Sequence, residues 1–130
     1  MSLSEAIFSR LSTYVGIAER IGTRSYPDRL PQNPILPANV FQVISTEKIH
    51  AGGADLAITR SRVQVDSYGL TYDESRYLGQ QVRGALQRYR GTEGTTEVRA
   101  SFLDSNEDMS MDETGIWRTS QDFMVWTEPA

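Results

Sequence analysis

Apolar residues recur along the first twenty positions as Ile7, Leu11, Tyr14, Val15 and Ala18, one stripe at helical spacing. The stripe predicts a helix over 4–18, with Ser2 and Glu5 forming a capping box and Gly22 a stop. The pattern then breaks at 24–38, where Pro27, Pro31, Pro34 and Pro37 fall within eleven positions. Proline fixes φ, lacks a backbone donor and biases the residue before it toward extended geometry. A stiff, extended arm over the surface is the expectation. Next, "NVFQVISTEKIH" is rich in β-branched and aromatic residues and predicts a strand over 39–49. "AGGAD" reads as a flexible link, and "AITRSRVQVDSYG" as a second strand over 57–69, the two pairing as a hairpin.

The clearest helix is predicted over 71–90. Thr71 and Glu74 form its capping box, Gly91 closes it, and Ser75, Leu78, Val82, Ala85, Leu86 and Tyr89 share one face. Arg76, Arg83 and Arg90 are spaced by seven along one flank, which is either a solvated face or a docking surface for an acidic partner. Two further strands, over 95–104 and 115–127, are joined by the acidic stretch "DSNEDMSMDET". The implied architecture is α+β: a four-stranded, mainly antiparallel sheet with two helices on one face and the Pro-rich arm alongside. Two strands are apolar on both alternating sets, with Trp117, Phe123 and Val125 against Met124 and Trp126, and Phe41 and Val43 against Val40 and Ile44. Such strands belong in a sheet covered on both sides. The chain has no second layer to offer, so the pattern points to another subunit.

Composition narrows the function. A chain of 130 residues, 38% apolar and with a mean hydropathy of −0.43, accommodates one domain with a modest core and much wet surface. No segment is long and apolar enough for a membrane helix, and the amino terminus has no basic region followed by an apolar core. A net charge of −4 speaks against a nucleic-acid binder, which needs a basic stripe to displace counterions. All the basic residues except Lys48 are arginine, a residue suited to interface ion pairs and equally a product of GC-rich coding.

Cysteine is absent, which excludes disulfides, thiol catalysis and thiolate metal sites. The single histidine, His50, has no nucleophile beside it in "KIHAGG", and the glycines match neither a phosphate loop nor a dinucleotide fingerprint. Asp104, Asn106 and Asp108 occupy the first, third and fifth places of a calcium loop. Met109 and Gly115 then stand where the turn glycine and the bidentate glutamate are required. The expectation is a non-enzymatic protein without metal or cofactor.

The order of elements carries a resemblance. An amino-terminal helix, "RIGTRSYPDRLPQNPILPANVFQVIS", a Gly-rich link and then "RVQVDSYGLTYDESRYLGQQVRGAL" resembles the tail-completion, or tail terminator, proteins of long-tailed bacteriophages over about residues 5–90. The resemblance implies a subunit of a homo-hexameric ring that caps the head-proximal end of the tail tube, ends tube polymerisation and joins tail to neck. It implies the tube protein and a neck or head-closure protein as partners, DNA only as passing cargo, and a place at the head–tail junction of a virion made in the bacterial cytoplasm. Another neck component, or a small ligand-binding or enzymatic α+β domain, is the alternative.

For a ring subunit, the expected interface residues are Pro27, Pro31, Pro34, Pro37, His50, Gly52, Gly53, Asp55, Arg76, Arg83 and Arg90. The acidic residues Asp104, Glu107, Asp108, Asp112 and Glu113 are expected to face the lumen or a neighbouring ring.

Overall fold

The computed structural model of the protein describes residues 2–51, 54–104 and 108–129. Helix α1 (Leu3–Thr13) opens with the expected capping box: Ser2 Oγ accepts from the Glu5 amide at 3.2 Å, and Glu5 Oε1 accepts from the Ser2 amide at 3.5 Å. The single helix expected over 4–18 is in fact two. Tyr14 takes extended geometry, ending α1 and beginning α2 (Val15–Ile21). The break re-aims the second segment, so Ile17 and Ile21 enter the core while Val15, placed on the predicted apolar stripe, is 73% exposed. Gly22, at φ 58°, ends α2 as expected.

The arm is the second correction. Ser25–Pro27 forms a short strand, β1, that pairs in parallel with β2 (Ala38–Ala51), and residues 28–37 close into a compact loop between them. Asp28 and Asn33 adopt positive φ (68° and 53°) and turn the chain back, which prolines alone do not dictate. The loop is tied at its neck by Asp28 N donating to Phe41 O (3.0 Å), Gln42 Nε2 donating to Asp28 O (3.2 Å) and Arg24 Nε donating to Pro37 O (3.1 Å).

Strand β3 (Ala54–Gly69) pairs antiparallel with β2 from Ala38↔Tyr68 out to Ala51↔Ala54, so both strands run further than expected. Helix α3 (Tyr72–Leu86) follows. Thr71 Oγ1 accepts from the Glu74 amide at 3.2 Å, while the Glu74 carboxylate reaches one residue further back, to the Leu70 amide at 2.9 Å. The helix stops short of Gly91 because Gln87 takes extended geometry, after which Arg88 turns at φ 60° and its amide donates to Ser101 O (2.7 Å). Arg10 closes the same helix end from outside, its Nε donating to Ala85 O at 2.8 Å and its guanidinium lying 3.9 Å over the Tyr89 ring.

The sheet has seven strands where four were expected. Beyond β1, β2 and β3 come β4 (Gly91–Glu93), β5 (Thr96–Leu103), β6 (Asp108–Met111) and β7 (Trp117–Pro129). The order is β1-β2-β3-β7-β5-β4, with β6 continuing the line of β5 along β7. The additions are β1, β4 and β6, strands of three or four residues, too short to announce themselves by alternation. The class is α+β.

All three helices pack on one face. Their core joins Ile7, Leu11, Ile17, Ile21, Leu78, Val82, Ala85 and Leu86 to Phe41, Val63, Val65, Val98, Phe123 and Val125. Under the first half of α3 the core turns polar. Ser75 Oγ lies 2.8 Å from Ser67 O and 2.9 Å from Thr119 Oγ1, Ser67 Oγ donates to Asn39 Oδ1 (3.0 Å), and Gln121 Nε2 donates to Gly79 O (3.1 Å). Hydrogen bonds of this kind let the hydroxyl groups be buried at little net cost, while Asn39 Nδ2 and Gln121 Oε1 have no partner among the described residues.

Candidate assembly interface

The opposite face of the sheet carries no helix among the described residues, and its side chains follow from strand register. Ser45, Arg62, Met124 and Phe102 form one cross-strand row; Glu47, Arg60, Trp126 and Ala100 form the next. The half of this face toward the start of β7 is polar, with Gln64 Nε2 donating to Asp66 Oδ1 and to Ser120 Oγ at 3.1 Å. There, burial and the negative charge of Asp66 push the Tyr68 hydroxyl above the ordinary phenol range, with Arg118 opposing.

The half toward the end of β7 is apolar. Phe102 is 44% exposed and meets Trp126 edge-on at a ring separation of 6.1 Å. With Ile58, Ala100, Arg90 and Arg99 these rings line a shallow depression of about 380 Å³. Ion pairs frame the island: Arg62 with Asp104 (2.8 Å) and Asp122 (3.6 Å), Arg60 with Glu47, and Arg99 with Glu128 (2.6 Å). Each such half-exposed pair contributes about 0–1 kcal/mol, so they shape the rim rather than hold the fold.

Two more features lack partners. Beyond Thr59↔Thr127, β3 leaves β7, and the β2–β3 ribbon continues to Ala51↔Ala54 with no third strand among the described residues. That overhang of five residues amounts to about 17 Å. An unsupported two-stranded ribbon is marginal in water. The outer edge of β2 is covered by β1 only at Asn39–Phe41, so from Gln42 onward it has no strand partner among the described residues. Val43 and Ile44, 37% and 50% exposed, sit there at a bulge. That bulge also limits the two-faced reading of β2, because Val40 is buried and Ile44 stands out at the edge.

The expected site residues disperse. Pro27 and Pro31 are exposed and Pro34 and Pro37 half-buried, all in or beside the closed loop, whose most exposed apolar side chain is Ile35 at 67%. His50 and Asp55 are register partners near the end of the ribbon; Gly52 and Gly53 lie outside the described residues. Arg76 and Arg83 share the exposed flank of α3 with Gln80, facing Met109 of β6. Arg90 does not join them. The early end of α3 carries it to the outer sheet face, beside Arg99.

The acidic stretch is not one projecting loop. Asp104 folds onto Arg62, Asp108 pairs through its backbone with Ser120 in β6, and Glu107 lies outside the described residues. Asp112 organises the turn into β7, its carboxylate accepting from the Thr114 amide (2.9 Å), Thr114 Oγ1 (2.6 Å) and the Ile116 amide (3.0 Å). The Thr114 hydroxyl and the Ile116 amide hold that carboxyl below its usual range. Glu113 is exposed at the same turn. Among the described residues no group of histidine and carboxylates is gathered closely enough to hold a metal ion.

Comparison with known proteins decides the family. The family model described as "Tail completion protein gp17" matches residues 5–128. This chain belongs to the phage tail completion family. The match extends through the two closing strands, well past the residues 5–90 that carry the resemblance in sequence. Family membership makes the protein a structural virion component and not an enzyme. A solved structure described as "Virion of native gene transfer agent (GTA) particle" contains a chain of the same fold, with a TM-score of 0.73 at 12% identity, over 98% of this chain and 95% of that one. No curated protein matches.

Ile58, Arg99, Ala100 and Phe102 did not stand out in the sequence. A bulge between Val98 and Ala100 inverts the alternation of β5, moving Phe102 to the face opposite Val98 although their spacing is even. The visible signal was the second apolar set of β7, Met124 and Trp126.

Proposed function

We propose that this tail completion protein assembles as a homo-hexameric ring on the head-proximal end of the tail tube, ends tube polymerisation there, and presents its far side to the neck. The observation that carries the reading is the sheet itself: seven strands, helices on one face only, and an apolar island framed by arginines on the other. A closed ring requires heterologous contacts, in which one patch meets a different patch on the next copy. The overhanging ribbon, the free β2 edge and the closed proline loop are distinct from the island and supply such second patches. Of the acidic residues, Asp104 is paired with Arg62 and the Asp112 carboxylate is engaged in its own turn, whereas Glu113 is exposed at that turn and free to face a neighbouring copy. The gene transfer agent likeness agrees with a virion setting.

A null mutant tests the capping role by electron microscopy. An uncapped tube end continues to add subunits, so tails of irregular length, detached from filled heads, are expected. Tails of normal length joined to heads overturn the terminator role; tails of normal length that are merely unjoined place the chain instead among the head-closure components.

A further inference from the structure

The arginine-framed depression has a counterpart elsewhere on the same molecule. Leu70 (62% exposed), Tyr72 (45%) and Met111 (55%) form an apolar knob with Trp117 where β3, α3, β6 and β7 meet. Tyr72 meets Trp117 edge-on at 5.2 Å, and Gly69 and Met111 flank Trp117 as its register partners. Exposed Asp73 follows Tyr72 and exposed Glu113 lies two residues beyond Met111, giving the knob acidic neighbours, although Asp73 also shares a groove with Arg20 and Arg76 and the Asp112 carboxylate is engaged in its own turn. Arg118, next to Trp117, lies on the outer sheet face and is hydrogen-bonded to Tyr68. The depression has the opposite character: an apolar floor of Ile58, Ala100, Phe102 and Trp126, with Arg90 and Arg99 at its border. Arg99 is paired with Glu128, whereas Arg90 has no ion-pair partner among the described residues.

We propose that the acidic-rimmed knob of one copy seats in the arginine-bordered depression of the next, making the head-to-tail contact between subunits. Two features support this occupant over another protein. The charges are complementary and both surfaces are apolar at the centre, which is the anatomy of a specific interface. The two patches lie near opposite ends of β7, at Trp117 and Trp126, about 30 Å apart along the strand, so one copy cannot satisfy itself. Two different patches on one chain form a heterologous pair, which propagates from copy to copy. The contact rests on the ring reading only in that the propagation closes.

Charge reversal in particles tests the contact. A null mutant is complemented with Arg90→Glu/Arg99→Glu, with Asp73→Lys/Glu113→Lys, or with all four together. Each pair alone is expected to lower the amount of this chain recovered in purified particles by about tenfold. The four-fold variant is expected to recover most of it, because the reversed patches again complement each other. Thermal unfolding of each purified variant shows that the chain folds. Because the four-fold variant does not restore the internal Arg99–Glu128 pair, recovery reports contact between copies. Wild-type incorporation of either pair variant overturns the proposal, and so does a folded four-fold variant as defective as the pairs. A particle map of the wild type counts the copies independently, so a ring joined through other surfaces fails this contact while keeping the capping role.

Discussion

At Gly69 the chain leaves β3 for α3, and a Cβ there would lie 2.7 Å from the Ser75 amide nitrogen and 2.9 Å from Glu74 Cβ. Backbone cannot step aside as a side-chain end can, so Gly69→Ala is expected to cost about 1–3 kcal/mol in denaturant unfolding. Gly84→Ala is the contrast. Its obstacle is Tyr14 Oη at 2.7 Å, the far end of a mobile ring, and alanine gains about 1 kcal/mol in helix propensity, so its net effect is expected near zero. Asp112 supplies a residue-scale dependence on pH. Its folded carboxyl is held below the ordinary value of 3.8, so the turn's stabilisation is present above that value and is lost as pH falls through the folded one. The protection of the Thr114 and Ile116 amides, measured against the intrinsic exchange rate at each pH, is expected to fall on acidification, and Asp112→Ala is expected to remove the dependence.

Among elements, the long ones were legible and the joints were not. The strands over 39–49 and 57–69 and the helix beginning at Thr71 show strong alternation, strong periodicity or a cap, and each appears near its expected place. The failures have local physical causes. Tyr14 breaks a continuous helical stripe, Gln87 and then Arg88 end α3 before the glycine that advertises an ending, and Asp28 and Asn33 turn a proline run back on itself. In each case a non-glycine residue takes a backbone conformation that composition does not announce. The site suffered similarly, because the β5 bulge hid Phe102 and the early stop of α3 removed Arg90 from its expected row. Arg10 is the clearest inter-element tie that escaped notice, joining α1 to the end of α3. Arg10→Ala is expected to lose about 2 kcal/mol from one charge-assisted hydrogen bond and the Tyr89 stacking, measured by thermal unfolding. Arg10→Lys keeps the charge without the planar fork and is expected to recover only part of that loss.

For the whole molecule, folding and assembly reside in separable parts. The core lies between the helices and one sheet face; among the described residues the free β2 edge from Gln42 onward and the apolar island contribute little to it, and the β2–β3 ribbon runs on past the end of its pairing with β7. Deleting residues 50–55 is therefore expected to leave the unfolding temperature nearly unchanged while preventing incorporation into particles. A large drop in that temperature would mean that the ribbon serves the fold. The central claim is a capping ring of six copies, and a map of the particle at its head–tail junction tests it most directly. It is expected to show six copies at the head-proximal end of the tube, and a single copy or twelvefold symmetry there would contradict it.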